Sequence, residues 1–326
     1  MLEKTLALLE AIAPGSYIPE SDRLCYDEAE LADLAALLRK LVWAPSQVRK
    51  RLQALGVHLA PCNFYSTIPT VDEIEAAFRA PSPPSYDAIF DHAAMTAFLD
   101  DALYPHSHEF DPPLSGGDGY NWYPRSFSFS DAMAYHCFVR HARPRTIIEI
   151  GAGASTLIAD AACRQNGRGR IVCIDPYPPD FVSRIAGVSE MIVEPVQNLS
   201  PDFFNERLSD GDIVFIDSTH TVKHGSDCLH LYLNILPQIR PTVLVHVHDV
   251  YLPGTAPEQH LRDWQIYWTE QYLVMAYLIE NRRADVLYGS SYHMQRNIER
   301  LRAFMHGRYE PGGASLWFRQ AGAAVR

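Results

Sequence analysis

An α/β fold, with a mostly parallel sheet covered by helices and a helical N-terminal extension, is what this sequence predicts on three observations. After about residue 130, short apolar runs alternate with stretches whose apolar residues recur every three or four positions. Several of those runs end in a carboxylate, at Glu149, Asp175, Asp217 and Asp249. The first hundred residues, by contrast, carry helical spacing alone.

Along the chain, "MLEKTLALLEAIAPG" reads as a helix and not as a secretion signal, because its apolar stretch is broken by charge and lacks a basic lead and a small-residue cleavage site. "DEAELADLAALLRKLVW", "SQVRKRLQALGV" and "TVDEIEAAFRA" are further amphipathic helices, the last with Thr70 as its N-cap and acids in its first turn. The loop "PCNFYSTIP" and the proline-rich "APSPPSYD" punctuate them. An irregular stretch rich in Gly, Pro, His and aromatics runs from Tyr104 to Phe127. It sets a soft boundary near residue 115, giving a helical extension over 1–115 and a second domain over 116–326.

Beyond it, "SDAMAYHCFVRHA" is expected to be a helix leading into the strand "TIIEI", followed by strands in "RIVCID", "SEMIVEP", "DIVFID" and "TVLVHVHD". Runs this apolar suit a parallel sheet buried on both faces. In such sheets ligands bind at the carboxyl ends of the strands, which is where the acids fall.

Composition narrows the function. The formal net charge of −11 argues against nucleic acid or an anionic membrane as partner. No apolar run approaches the roughly 20 residues of a membrane span. The six cysteines contain no C-x-x-C pair, so reduced thiols in a cytoplasmic protein are expected.

In "EIGAGAST", Gly151 and Gly153 let the backbone turn tightly after the first strand, and the following helix aims its N-terminal N–H groups at a ligand. Asp175 ends the next strand at about the separation from which an acid reaches ribose hydroxyls. The pair points to an adenosine-type cofactor. The dinucleotide pattern G-x-G-x-x-G is unfilled, since Thr156 stands at its third glycine. Glu149 would repel a pyrophosphate, whereas a cationic sulfonium and amino group would attract it, which favours S-adenosylmethionine over NAD.

These residues resemble the class I S-adenosylmethionine-dependent methyltransferases, whose first motif E/D-x-G-x-G-x-G is matched by "EIGAGAS" with Ser155 at the last glycine. The resemblance runs from about Ser130 onward and is strongest between Thr146 and Pro253. It implies a Rossmann-like sheet with an antiparallel C-terminal edge, for which "ADVLYGSS" and "ASLWFRQ" supply the strands. It also implies that Glu149, Gly151, Gly153 and Ser155 line the methionine end of the cofactor, that Asp175 holds the ribose, and that Val196 and Gln197 lie near the adenine.

Methyl transfer to a hydroxyl requires positioning and removal of a proton. "FIDSTH" places Asp217 and His220 at the end of the fourth strand, and "LVHVHD" places His248 and Asp249 at the end of the fifth, with His246 deeper on the same side. Resemblance to catechol and macrolide-sugar O-methyltransferases implies a divalent ion, Mg²⁺ or Mn²⁺, held by Asp217, His248 and Asp249. His248 departs from the acid usual there, and an imidazole shifts preference towards Mn²⁺, Fe²⁺ or Zn²⁺. The metal-free alternative makes His220 or His248 the general base, with Asp217 or Asp249 orienting it; a third reading gives Asp217 to the cofactor and the histidines to local backbone.

For the acceptor, "RDWQIYWTEQYLVMAYLIENRR" is expected to form one long helix with Leu273, Ala276 and Leu278 in the core and Trp264, Trp268, Glu270 and Gln271 towards the site mouth. Tyr123 and Arg125 form a second candidate wall. The expected function is O-methylation of a small-molecule or sugar hydroxyl, with the N-terminal extension contributing to the acceptor pocket or to a homo-oligomer interface. The alternatives are N- or C-methylation with a histidine base and no metal, a nucleotide-dependent oxidoreductase, and a non-catalytic cofactor-binding protein.

Overall fold

The computed structural model describes residues 28–80, 87–117, 119–123 and 126–323. The N-terminal helix read from "MLEKTLALLEAIAPG", Cys25 and Arg125 lie outside these residues. The chain divides into two compact units, Met1–Ile74 and Glu75–Arg326. In the first, Glu28–Val42 and Ser46–Ala54 are helices. Thr70 opens the helix Val71–Arg79 as a reciprocal cap: its backbone N–H donates to Glu73 Oε2 at 2.7 Å, and its Oγ1 accepts from the Glu73 N–H at 3.3 Å.

His92–Phe98 is a helix of the second unit, continued by a π turn over Leu99–Leu103 and a last turn over Tyr104–Ser107. Met95, Leu99 and Leu103 are buried in that unit's core. The stretch from Tyr104 therefore begins as helix, and its later aromatics pack: Trp122 stacks on Tyr309 at 4.8 Å, and the Tyr120 hydroxyl donates to the Phe127 carbonyl.

Seven strands form one sheet: β1 (Thr146–Ile150), β2 (Arg170–Ile174), β3 (Val188–Ile192), β4 (Ile213–Ile216), β5 (Val243–Val247), β6 (Ala284–Gly289) and β7 (Leu316–Gln320), ordered β3-β2-β1-β4-β5-β7-β6. Neighbours from β3 to β5 are parallel, and β7 runs antiparallel to both β5 and β6. The order reverses between β1 and β4, which opens a crevice at their carboxyl ends.

Side-chain alternation gives the sheet two unlike faces. Ile148, Ile150, Val172, Ile174, Val214, Ile216, Val245 and Val247 form a purely aliphatic layer on one side. On the other, the register sets Cys173, Glu149, Phe215, His246 and Trp317 side by side across five strands. The helix Phe129–Ala142 covers that row: Tyr135 stacks on Phe215 at 4.4 Å, and Phe138 on Trp317 at 4.0 Å. Each such aromatic pair adds about 0.5–1.5 kcal/mol beyond its buried area, so the row is clamped over its whole width. Arg143 in the left-handed region ends that helix, and Gly167 does the same for the helix Ala154–Asn166.

The long helix expected over 262–283 is shorter. Only Glu270–Leu278 is helical, after a short helix at Glu258–Arg262 and a bend in which Gln265 has φ 53° and the Ile266 N–H donates to the His260 carbonyl. Leu278 is buried and Leu273 packs against the core as expected, but Ala276 is exposed and Val274 and Met275 take the core positions. No helix among the described residues is long and apolar enough to cross a membrane. Cys137, Cys163, Cys173 and Cys228 are buried free thiols, and Cys62 is an exposed one.

Candidate active site

A cleft of about 360 Å³ opens at the switch in strand order, walled by the ends of β1, β2 and β4 and the turn after β3. Gly151, Asp175, Val196, Gln197 and Asp217 line it, with Ile150, Ile174, Tyr177, Ser218, Thr219 and Asp227. Gly151 is there of steric necessity: φ is +86°, and a Cβ would lie 1.8 Å from the carbonyl oxygen of Asp217. Gly153 carries no such constraint, having open space around its Cα.

Asp175 closes the turn from beneath. Its Oδ2 accepts from the Ala152 N–H at 3.0 Å and its Oδ1 from the Tyr177 N–H at 2.7 Å, so one carboxylate ties the glycine turn to the end of β2 while still facing the cleft. Each oxygen retains a lone pair for a ligand hydroxyl.

Glu149 does something else. It is wholly buried on the aromatic face of the sheet and does not line the cleft; neither do Gly153 and Ser155. Its Oε1 accepts from the Tyr135 hydroxyl at 2.7 Å and its Oε2 from the Thr156 hydroxyl at 2.6 Å. Thr156 Oγ1 in turn accepts from the Gly153 N–H at 3.1 Å. Burial pushes the Glu149 carboxyl up to about 7, against the lowering effect of the Thr156 and Tyr135 hydrogen bonds. The carboxylate thus anchors the start of the helix Ala154–Asn166 through Thr156, the very residue that replaces a glycine of the dinucleotide pattern.

The second polar centre adjoins the first at Asp217. Its backbone presses on Gly151, and its side chain meets three others from the ends of β4 and β5. His220 Nε2 lies 3.3 Å from Asp217 Oδ1 and 3.4 Å from Asp249 Oδ2. His248 Nδ1 lies 3.3 and 3.5 Å from the same two oxygens. Nitrogen and oxygen alternate around a ring, and all four atoms lie within 4.8 Å of one another. His220 and Asp249 reach it from left-handed backbone, with φ 55° and 54°.

Each histidine is held from behind. His220 Nδ1 is 2.9 Å from Glu270 Oε2, and Glu270 Oε1 accepts from the Tyr232 hydroxyl at 2.8 Å. His248 Nε2 is 3.3 Å from Asp131 Oδ2, and Asp131 accepts from the backbone N–H groups of Ala314 and Ser315, both at 2.9 Å. The Thr269 and Glu270 N–H groups donate to the His220 carbonyl and pin its loop. Burial works to lower the pKa of His220, but Asp217 and Glu270 outweigh it and hold the ring at about 10. Burial opposes His248 likewise, and the charges of Asp217 and Asp249 raise it well above the ordinary histidine range. The two aspartates are lowered despite burial, chiefly by the charge of His248.

His246 is different: buried against Phe215 at 4.0 Å with Nε2 on Ser315 Oγ at 2.8 Å, it is pushed well below the ordinary range by burial and has no carboxylate behind it. Among the expected acceptor residues, Trp268 packs on His220 at 4.7 Å, and Trp264 stacks on His260 at 4.8 Å. Gln271 Oε1 accepts from the Tyr251 N–H at 3.2 Å, the Tyr251 hydroxyl donates to Asp249 Oδ1 at 3.1 Å, and Tyr123 is exposed. Sequence reasoning passed over Asp131, Tyr251, His260 and the hold of Glu270 on His220. Asp131 stood just past the start of a helix 117 residues before its histidine, with no local signal to connect them.

Residues 148–250 match the family described as "Methyltransferase domain". An uncharacterized protein of Archaeoglobus fulgidus is 30% identical over 171 residues, covering 46% of this chain and 74% of that protein. Among solved structures, the chain is similar to the O-methyltransferase TomG of Streptomyces achromogenes, involved in tomaymycin synthesis and solved with SAM (14% identity, 73% of this chain and 94% of that one, TM-score 0.37). It is also similar to an O-methyltransferase of Bacillus cereus in complex with SAH (14% identity, 78% and 98%, TM-score 0.35).

Proposed function

We propose, from the premise that this chain belongs to the class I S-adenosylmethionine-dependent methyltransferases, that it transfers the methyl group to the hydroxyl of a small molecule or sugar. The observation that carries this reading is Asp217, which walls the cofactor cleft and also contributes a side-chain oxygen to the ring of four polar atoms. A group gathered at that ring would lie beside whatever the cleft holds. Methyl transfer needs that proximity more than it needs a new leaving group.

The cleft residues suit the donor. Asp175 offers lone pairs to ribose hydroxyls, Val196 and Gln197 flank the far wall, and Gly151 lets the backbone approach closely. Glu149 acts at one remove, holding Thr156 and through it Gly153, and does not touch the sulfonium. Asp217, His248 and Asp249 would hold a divalent cation, which would lower the pKa of a bound hydroxyl. Trp268 and Tyr251, each touching a residue of the ring, would bound the acceptor.

A histidine base without metal fits less well. Both nitrogens of His220 and of His248 face carboxylates, which leaves neither ring a nitrogen turned towards an acceptor. An oxidoreductase would leave an acid-lined cleft facing a pyrophosphate.

The test is calorimetric titration of chelator-treated protein with S-adenosylhomocysteine, with NAD as control, followed by labelled-methyl transfer from S-adenosylmethionine to a panel of hydroxyl, amine and carbon acceptors. Tight binding of the thioether, none of NAD, and label in an ether product are expected. Binding of NAD alone would refute the cofactor assignment; label on nitrogen or carbon would refute the hydroxyl.

A further inference from the structure

We infer that His220 is a fourth metal ligand beside Asp217, His248 and Asp249, and that the cation of this site is a first-row transition ion such as Mn²⁺, Fe²⁺, Co²⁺ or Zn²⁺, with Mg²⁺ a poor occupant. The inference rests on the metal-assisted reading above and specifies which ion that reading requires.

Spacing comes first. Donor atoms that share an ion at about 2.0–2.2 Å lie about 2.8–3.1 Å apart at right angles and about 3.3–3.6 Å apart at tetrahedral angles. The four nitrogen–oxygen contacts of the ring are 3.3, 3.3, 3.4 and 3.5 Å, and the nitrogen–nitrogen and oxygen–oxygen pairs lie within 4.8 Å, so all four can reach one ion of higher coordination number that keeps a position for the acceptor oxygen. His220 enters this spacing on the same terms as His248.

The backing of the histidines is the second, independent observation. A ligating imidazole gives one nitrogen to the ion and its other N–H to a carboxylate, which sets the tautomer and aims the lone pair. His220 meets Glu270 in this way and His248 meets Asp131, and both carboxylates are buried and fixed by further donors. His246 provides an internal contrast. It lies on the same strand face, two residues before His248, yet it binds a serine hydroxyl and stacks on Phe215. Of the three histidines at the ends of β4 and β5, the carboxylate backing belongs to the two whose imidazoles reach the ring.

Donor chemistry then selects the ion. Mg²⁺ takes oxygen ligands in near-octahedral geometry and keeps several waters. Two imidazoles with two carboxylates suit Mn²⁺, Fe²⁺, Co²⁺ or Zn²⁺, with affinity rising towards the later metals. The left-handed backbone at His220 and Asp249, an uncommon conformation costing of order 1–3 kcal/mol at each residue, is what brings these two donors inward.

The decisive experiment titrates chelator-treated protein separately with Mn²⁺, Co²⁺, Zn²⁺ and Mg²⁺ by calorimetry, and records the visible absorption of the Co²⁺ form. One equivalent of each transition ion should bind at least roughly 100-fold more tightly than Mg²⁺, and Co²⁺ should show ligand-field bands perturbed by imidazole. H220Q should reduce that preference by about 100-fold and change the Co²⁺ spectrum. E270Q should weaken binding by about 10–100-fold with a smaller spectral change. Binding of S-adenosylhomocysteine, measured alongside, should stay within about twofold in both variants and shows that they are folded. Mg²⁺ binding as tightly as Mn²⁺ in the wild-type protein would overturn the inference while leaving a metal in the reaction. If S-adenosylhomocysteine binds but no cation does, the four groups form an ion-pair network only, and the inference fails together with the metal-assisted step. Failure to bind S-adenosylhomocysteine would strike the cofactor reading instead.

Discussion

The ends of β1 and β2 and the ends of β4 and β5 all carry acids, and they use them in opposite ways. At β1 and β2, the oxygens of Glu149 are taken up by Tyr135 and Thr156, and those of Asp175 by backbone N–H groups, so the charge there holds a turn in shape. At β4 and β5, the buried partners stand behind His220 and His248 and leave the donor atoms of Asp217, His220, His248 and Asp249 converging on one point. A carboxylate at a strand end is thus informative only once its partners are known: Glu149, with both oxygens taken by buried hydroxyls, shapes a turn, whereas Asp217 and Asp249 meet two histidines around one point.

Four substitutions would break or sharpen that contrast. The largest effect is expected from G151A, because Gly151 is where the two regions touch: a methyl group there meets the Asp217 carbonyl at 1.8 Å on a backbone with φ +86°. It should cost more than about 4 kcal/mol and disturb both regions together. Chemical denaturation checks this, and a variant as stable as the parent would mean that the turn is not packed as described.

Next comes E149Q, which should act on stability through pH and leave the ring of Asp217, His220, His248 and Asp249 alone. The folded-state pKa of Glu149 is raised from 4.5 to about 7, so the folded protein retains a proton that the unfolded chain has lost between those values. Stability from this group is therefore full below about pH 4.5 and declines by on the order of 3 kcal/mol as pH rises to 7, after which it is level. Denaturation of both proteins at pH 5 and pH 8 should show a difference that closes at the acid end. Parallel stabilities at the two pH values would remove the assignment.

D217N should behave in the contrary manner. Its backbone role persists, so the fold should hold, while affinity for Mn²⁺ falls by about 100-fold or more, as judged against the 10–100-fold cost of losing a mere supporting group. Unchanged Mn²⁺ affinity would show that the Asp217 oxygen is not a ligand. The smallest effect belongs to T156V, which strips Glu149 of one donor and should cost about 1–3 kcal/mol of stability with a modest loss in S-adenosylhomocysteine affinity. Full retention of both would mean that the relay from Glu149 to Gly153 contributes nothing.

Much of this architecture was legible in the chain. Six of the seven strands lie within the expected runs and β3 starts one residue ahead of its own, because a buried parallel strand must be apolar over its length and the antiparallel pair at the edge carries the same signature. The four groups of the ring were legible too, since each lies within four residues of the end of a readable strand. The partners of Glu149 were not legible, for a geometric reason: alternation sets it on the face of Ile147, beneath Tyr135, and a sequence does not say which face of a doubly covered sheet a strand residue takes. The helix expected from Arg262 overran because Gln265 breaks it without a glycine or proline to announce the turn. Glu270 was seen as a residue near the site mouth; that it grips His220 depends on a contact spanning 50 residues, which no local pattern encodes.

The left-handed backbone at His220 and Asp249 also constrains how this site can drift. At such torsions asparagine, aspartate, histidine and glycine are tolerated best, and branched side chains worst. Substitution at these two positions is therefore screened by the main chain before chemistry is consulted. Asparagine at 249 is the mildest exit, since it keeps the conformation while removing the charge, and alanine confounds the two. A descendant that gave up the charge of this ring would pass most readily through asparagine or glycine, leaving the loops in place and a neutral pocket where a charged one had been.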